Sequence, residues 1–80
     1  MARVEIGHHL VIDSRICGGR LIFKGTRILV NDALELIRSG LTPEKVAREY
    51  PGLLTPAAVS EAVSLTRRGL VREVQKNPAA

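Results

Sequence analysis

Two threonine-proline pairs, Thr42-Pro43 and Thr55-Pro56, constrain this chain more than any other feature of its sequence. Each sets a hydroxyl at a helix N-cap and a proline at the first helical position, where the missing N–H has no intrahelical partner to lose. Two helices begin at these points, and the chain between them has to turn. The first is predicted from Thr42 to Glu49, with Val46 and Ala47 inward, and Tyr50-Pro51-Gly52 stops it. The second is predicted from Thr55 to Arg68, with Gly69 as its stop. Ala58, Val59, Ala62, Val63 and either Leu65 or Thr66 fall on its inner side.

Ahead of this pair the apolar residues follow a different period. Leu10-Val11-Ile12, Leu21-Ile22-Phe23 and Ile28-Leu29-Val30 are short pieces rich in branched residues, which favours strand over helix. Cys17-Gly18-Gly19 reads as a turn, because paired glycines tolerate positive φ, and Gly25-Thr26 breaks the second piece. From Asn31 the pattern becomes helical. Asn31 is the expected cap, Asp32 and Glu35 lie in the first turns and Arg38 in the last. Ala33, Leu34, Leu36 and Ile37 form its apolar face, and Ser39-Gly40 ends it. Leu70 to Val74 reads as a further helical turn, and Gln75 to Ala80 as a frayed end. The expected fold class is α+β, mostly α. A short N-terminal β-hairpin region over 1–30 precedes a three-helix, helix-turn-helix region over 31–69 and a tail over 70–80, all in one domain of residues 1–80.

Length and composition narrow the function. A chain of 80 residues has room for one core. A domain of that size buries only about 60% of its unfolded surface, so a homodimer or higher homo-oligomer is expected. The single cysteine, Cys17, forms no intrachain disulfide, which suits a reducing interior. The start lacks a basic stretch followed by a long apolar run, and no apolar run exceeds three residues. Crossing a bilayer takes about 20, so a soluble, cytoplasmic protein without a membrane partner is expected.

Twelve Lys and Arg against eight Asp and Glu leave a net charge of +4, and nine of the twelve are Arg. That balance favours polyanions or an acidic partner protein. Phe23 and Tyr50 are the only aromatics, which argues against binding single strands by base stacking. On the helix after Thr55 the outward positions are Ala57, Ser60, Glu61, Ser64, Arg67 and Arg68. Ser60, Ser64 and Arg67 can donate to phosphates or base edges, whereas Glu61 repels phosphate, although it can accept from cytosine. The plainer alternative is a packing unit whose Arg67 and Arg68 complement the helix dipole. Arg20 and Lys24 share one strand face, and Arg27 extends the stripe past Gly25. Such a stripe serves either an anion-binding edge or protection of a sheet edge against aggregation.

Other chemistries fit poorly. Residues 19–26 contain glycine, lysine and threonine but lack the Gly-Lys-Thr order of a phosphate loop. His8, His9, Asp13 and Cys17 are ligand-type residues in an extended segment, and no metal site is assigned to them. No dense carboxylate cluster accompanies a nucleophile. Neither enzyme activity, nor a cofactor, nor a small-molecule substrate is expected.

Several short elements together resemble a known family. Ile16-Cys17-Gly18-Gly19-Arg20, Phe23-Lys24-Gly25-Thr26-Arg27-Ile28 with Val30, Ser39-Gly40-Leu41-Thr42-Pro43-Glu44, and Tyr50-Pro51 with Leu54-Thr55 are similar to the domain-of-unknown-function 433 (DUF433) family of small prokaryotic proteins. The similarity covers residues 8–65, and it departs at Leu21, where the family usually has proline. The resemblance implies a homeodomain-like three-helix fold after a short β part. It also implies a VapB-like antitoxin of a type II toxin-antitoxin system, a transcription regulator that neutralises a PIN-like ribonuclease toxin and binds its own operator DNA as a dimer. The family has no assigned catalytic residues. The expected DNA-binding residues are Ser60, Ser64, Arg67, Arg68, Arg20 and Lys24, and the expected toxin-binding residues are Arg27, Arg67, Arg68 and Arg72. The alternative function is a small protein-binding or dimerisation module without DNA affinity.

Overall fold

The structure, a computed structural model, describes residues 3–69. Three short strands come first: β1 (Arg3–Ile6), β2 (Leu10–Asp13) and β3 (Leu21–Phe23). Three helices follow: α1 (Val30–Arg38), α2 (Pro43–Glu49) and α3 (Pro56–Arg67). The strands pair antiparallel in the order β1-β2-β3. Ile6 lies opposite Leu10 and Val4 opposite Ile12, while Leu10 and Ile12 lie opposite Phe23 and Leu21.

Alternation along the strands divides this sheet into two faces. Leu10, Leu21 and Phe23 enter one core with Val30, Ala33 and Leu34 of α1, Val46 of α2 and Val59 and Ala62 of α3. Ile6 and Ile12 pack against the same core. Val11 and Ile22, paired with each other, point to the opposite face.

The expectation of a short β-hairpin followed by a homeodomain-like three-helix bundle is therefore corrected. The β part is a three-stranded antiparallel sheet, because Arg3–Ile6 adds a strand that the sequence reading left out. The helices do not close a bundle of their own, since Leu10, Leu21 and Phe23 from the sheet supply part of the core they surround. Nor does Ile28-Leu29-Val30 make a third strand. Leu29 forms a single bridge to Ile22, and Val30 already begins α1. The N-cap of α1 is thus Leu29, without a side-chain cap bond, and Asn31 lies within the helix. The readings of Leu70 to Val74, of Arg72 and of the C-terminal tail fall outside the described residues.

The later helix boundaries follow local chemistry. Thr42 Oγ1 accepts from the Lys45 N–H and Thr55 Oγ1 from the Ala58 N–H, each at 3.2 Å. At the end of α1, Gly40 takes φ +113, the Gly40 N–H donates to Ile37 O, and the Leu41 N–H reaches back to Leu36 O. These paired bonds satisfy carbonyls the helix leaves open, and the positive φ explains glycine there. Leu36 and Leu41 both pack against the core, so the same turn sets the entry to α2.

Candidate functional site

The outward side of α3 carries the first candidate surface. Ser60, Ser64, Arg67 and Arg68 follow one another at helical spacing, and with Val63 and Pro43 they line an open groove of about 500 Å³ beside the start of α2. Four of the expected DNA-binding residues are thus brought together. Both arginines are exposed, and among the described residues neither forms an ion pair. Both sit at the C-terminal end of the helix, where the macrodipole is also complemented.

Glu61 does not line that groove. Its carboxylate accepts the backbone N–H of His8, at 3.0 and 2.8 Å to its two oxygens, and the N–H of His9 at 2.7 Å. His9 Nδ1 lies 2.9 Å from Glu61 Oε1, and it donates in the tautomer that carries its proton there. Gly7, at φ +63, makes this approach possible, because a Cβ at that position would lie 2.5 Å from Glu61 Oε2. Burial pushes the Glu61 carboxyl up, but the His8 N–H, the His9 ring and the His9 N–H outweigh it and hold the group below its ordinary value. The sequence reading placed Glu61 outward, where it repels phosphate. The structure instead turns its carboxylate to the β1–β2 turn.

Arg20 and Lys24 lie elsewhere. Arg20 follows the turn at Cys17–Gly19 and is exposed. Lys24 Nζ is 3.2 Å from Glu5 Oε1 of β1, so its charge is already met. This pair, with help from Arg3, holds the Glu5 carboxyl below its ordinary value. Arg3 also approaches Asp13 at 3.6 Å. Asp13 is buried, and it accepts from the Arg15 backbone N–H at 2.9 Å and from the Arg15 guanidinium at 3.0 and 3.1 Å. The Arg15 side chain and backbone together hold the Asp13 carboxyl at about 2. Asp13 and His9 are thus engaged by protein groups, and among the described residues no three His, Cys, Asp or Glu side chains come together as a metal would need.

A second groove, of about 570 Å³, opens on the sheet face turned away from the helices. Val11, Ile16, Ile22 and Leu53 supply its apolar part, and Arg3, Lys24 and Arg27 stand around it. Arg27 is exposed, with no ion pair among the described residues. The neighbouring Thr26 does the local work, donating to Phe23 O and accepting from the Ile28 N–H, each at 2.9 Å. The sequence reading missed Arg3 and Leu53 here, since neither lies in a motif with the residues it joins.

A family model described as a protein of unknown function, DUF433, matches residues 10–64. The chain belongs to the DUF433 family. Its signature residues have identifiable structural tasks: Thr26 closes the turn after β3, Gly40 ends α1 and Thr42 caps α2. This DUF433 chain is similar to the crystal structure of Rv2018 from Mycobacterium tuberculosis, with 33% identity and a TM-score of 0.59. The match covers 68% of this chain and 24% of that one, so the DUF433 chain spans about a quarter of the length of Rv2018. No curated protein matches it. Among the described residues no helix is long and apolar enough to cross a membrane.

Proposed function

We propose that this DUF433 chain is an antitoxin-like component of a prokaryotic type II toxin-antitoxin system. It neutralises a PIN-like ribonuclease and binds its own operator DNA as a dimer in the cytoplasm. One observation carries the DNA half: Ser60, Ser64, Arg67 and Arg68 line a single open groove on α3. Capture of Glu61 by His8 and His9 supports it, because a carboxylate that would repel phosphate is turned to backbone donors instead. The two arginines and two hydroxyls first engage backbone phosphates, which gives a salt-dependent affinity. A dimer then presents two such helices to half-sites about 34 Å apart. The neutralising half follows from what the family resemblance implies, with Arg67 and Arg68 suited to the acidic metal-binding site of a nuclease.

The test is fluorescence anisotropy of a labelled duplex carrying the promoter upstream of the gene. It is read at about 50 and 200 mM salt against a scrambled duplex. Promoter preference with a steep salt slope, lost when Arg67 and Arg68 are replaced by alanine, supports the reading. Absence of binding at the lower salt removes the DNA half.

A second reading, a small protein-binding or dimerisation module without DNA affinity, is favoured by Val4 and Leu53, large apolar residues that are 55% and 57% exposed.

A further inference from the structure

We infer that the sheet face turned away from the helices carries a docking groove for an acidic, apolar segment of a partner protein. This rests on the reading that the chain binds a protein, and it does not depend on DNA binding.

The groove is built from distant parts of the chain. Val11 and Ile22 face each other across β2 and β3 at its base, where both are already buried, so the accessible apolar surface is that of Ile16 and Leu53. Ile16 enters from the turn before β3, and Leu53 from the connection between α2 and α3. Leu53 is more than half exposed, although an apolar side chain of that size gains about 2 kcal/mol when it leaves water. The cavity of about 570 Å³ has the size of pockets that enclose a few side chains.

Charge selects the occupant. Arg3, Lys24 and Arg27 stand around the groove, and no acidic side chain lines it. Glu5 and Asp13 lie nearby and partly balance Arg3 and Lys24. That leaves Arg27, which lacks an ion pair among the described residues, as the cation best placed for an incoming carboxylate. Accessible Leu53 and Ile16 beside the Arg27 guanidinium match a peptide that carries Leu or Val beside Asp or Glu. Single-stranded nucleic acid fits this groove poorly, because its lining offers no aromatic ring on which a base can stack. The groove shares no lining residue with the one on α3, so a partner segment here leaves Ser60, Ser64, Arg67 and Arg68 open.

The test uses the full chain, ¹⁵N-labelled, titrated with an acetylated decapeptide of alternating leucine and aspartate. A leucine-lysine counterpart is run beside it. Amide shifts concentrated at Ile16, Ile22, Arg27 and Leu53 are expected with the aspartate peptide alone. Arg27→Glu should weaken its binding about tenfold, and Leu53→Asp by a similar factor. Both substitutions are at exposed positions, and the spectral dispersion of each variant reports its folding. Equal binding of the lysine peptide, shifts confined to residues 60–68, or no shift at millimolar peptide overturns the groove. Shifts of the same residues that depend on protein concentration without peptide assign the face to a second copy of the chain, and overturn it too. Promoter binding by Arg27→Glu, measured in parallel, should match that of the unaltered chain. Failure of the operator reading then shows in the duplex assay and failure of the groove in the peptide titration.

Discussion

Glu61 and His9 meet at 2.9 Å, carboxylate oxygen to ring Nδ1, across a sequence separation of 52 residues. With the backbone N–H groups of His8 and His9 donating to the same carboxylate, this contact fastens the β1–β2 turn to the middle of α3. Glu61→Ala hands the N–H groups of His8 and His9, in a turn that is exposed to half-buried, from a carboxylate to water and should destabilise the fold by about 1 kcal/mol. Gly7→Ala should cost a comparable amount, both from its positive φ and from the approach of Glu61. Urea denaturation measures both. A loss within about 0.5 kcal/mol for each would show that the clamp contributes nothing.

Acid should weaken the fold through two carboxyls. Asp13 falls from an ordinary 3.8 to about 2 in the folded chain, through Arg15, and Glu61 falls below its ordinary 4.5. The unfolded chain therefore binds more protons than the folded one in this range, and stability rises with pH there. The contribution of Asp13 is complete above its ordinary value and disappears as the pH falls through about 2. Melting temperatures recorded from pH 6 downward should decline below about pH 4.5. Asp13→Asn should lower the melting temperature at neutral pH and flatten the part of the decline between 3.8 and 2.

Charge placement separates the arginines of α3 from the lysine after β3. Arg67→Ala should reduce the salt slope of duplex binding by about one counterion. Lys24→Ala should leave the slope unchanged, because Glu5 already meets that ammonium. Anisotropy titrations at several salt concentrations give both slopes.

The two threonine caps are equivalent in geometry, each accepting one N–H at 3.2 Å. Thr42→Ala and Thr55→Ala should each cost about 1 kcal/mol in denaturation experiments, and replacement by serine should restore most of it. The two losses should add, since the caps begin different helices and share no partner.

Among the described residues Cys17 is the non-glycine residue that takes a positive φ, +51. Cys17→Val should destabilise the turn before β3 by about 1–2 kcal/mol, since a branched Cβ is least tolerated there. Cys17→Gly should avoid that loss, and thermal melts of the two variants decide it.

By itself, the sequence determined the helix starts at Thr42 and Thr55, the end of α1 at Gly40, the extended character of Leu10–Ile12 and Leu21–Phe23, and the row of Ser60, Ser64, Arg67 and Arg68 along α3. These features depend on hydrogen bonds and side-chain periods that span only a few residues, so neighbouring letters carry them. The tertiary structure decided that Arg3–Ile6 is a strand, that the Glu61 carboxylate is held by His8 and His9, and that Leu53 joins Arg3, Lys24 and Arg27 around one groove. Those outcomes depend on contacts between residues far apart along the chain, which leave no period in the sequence and exist only once the sheet and helices share a core.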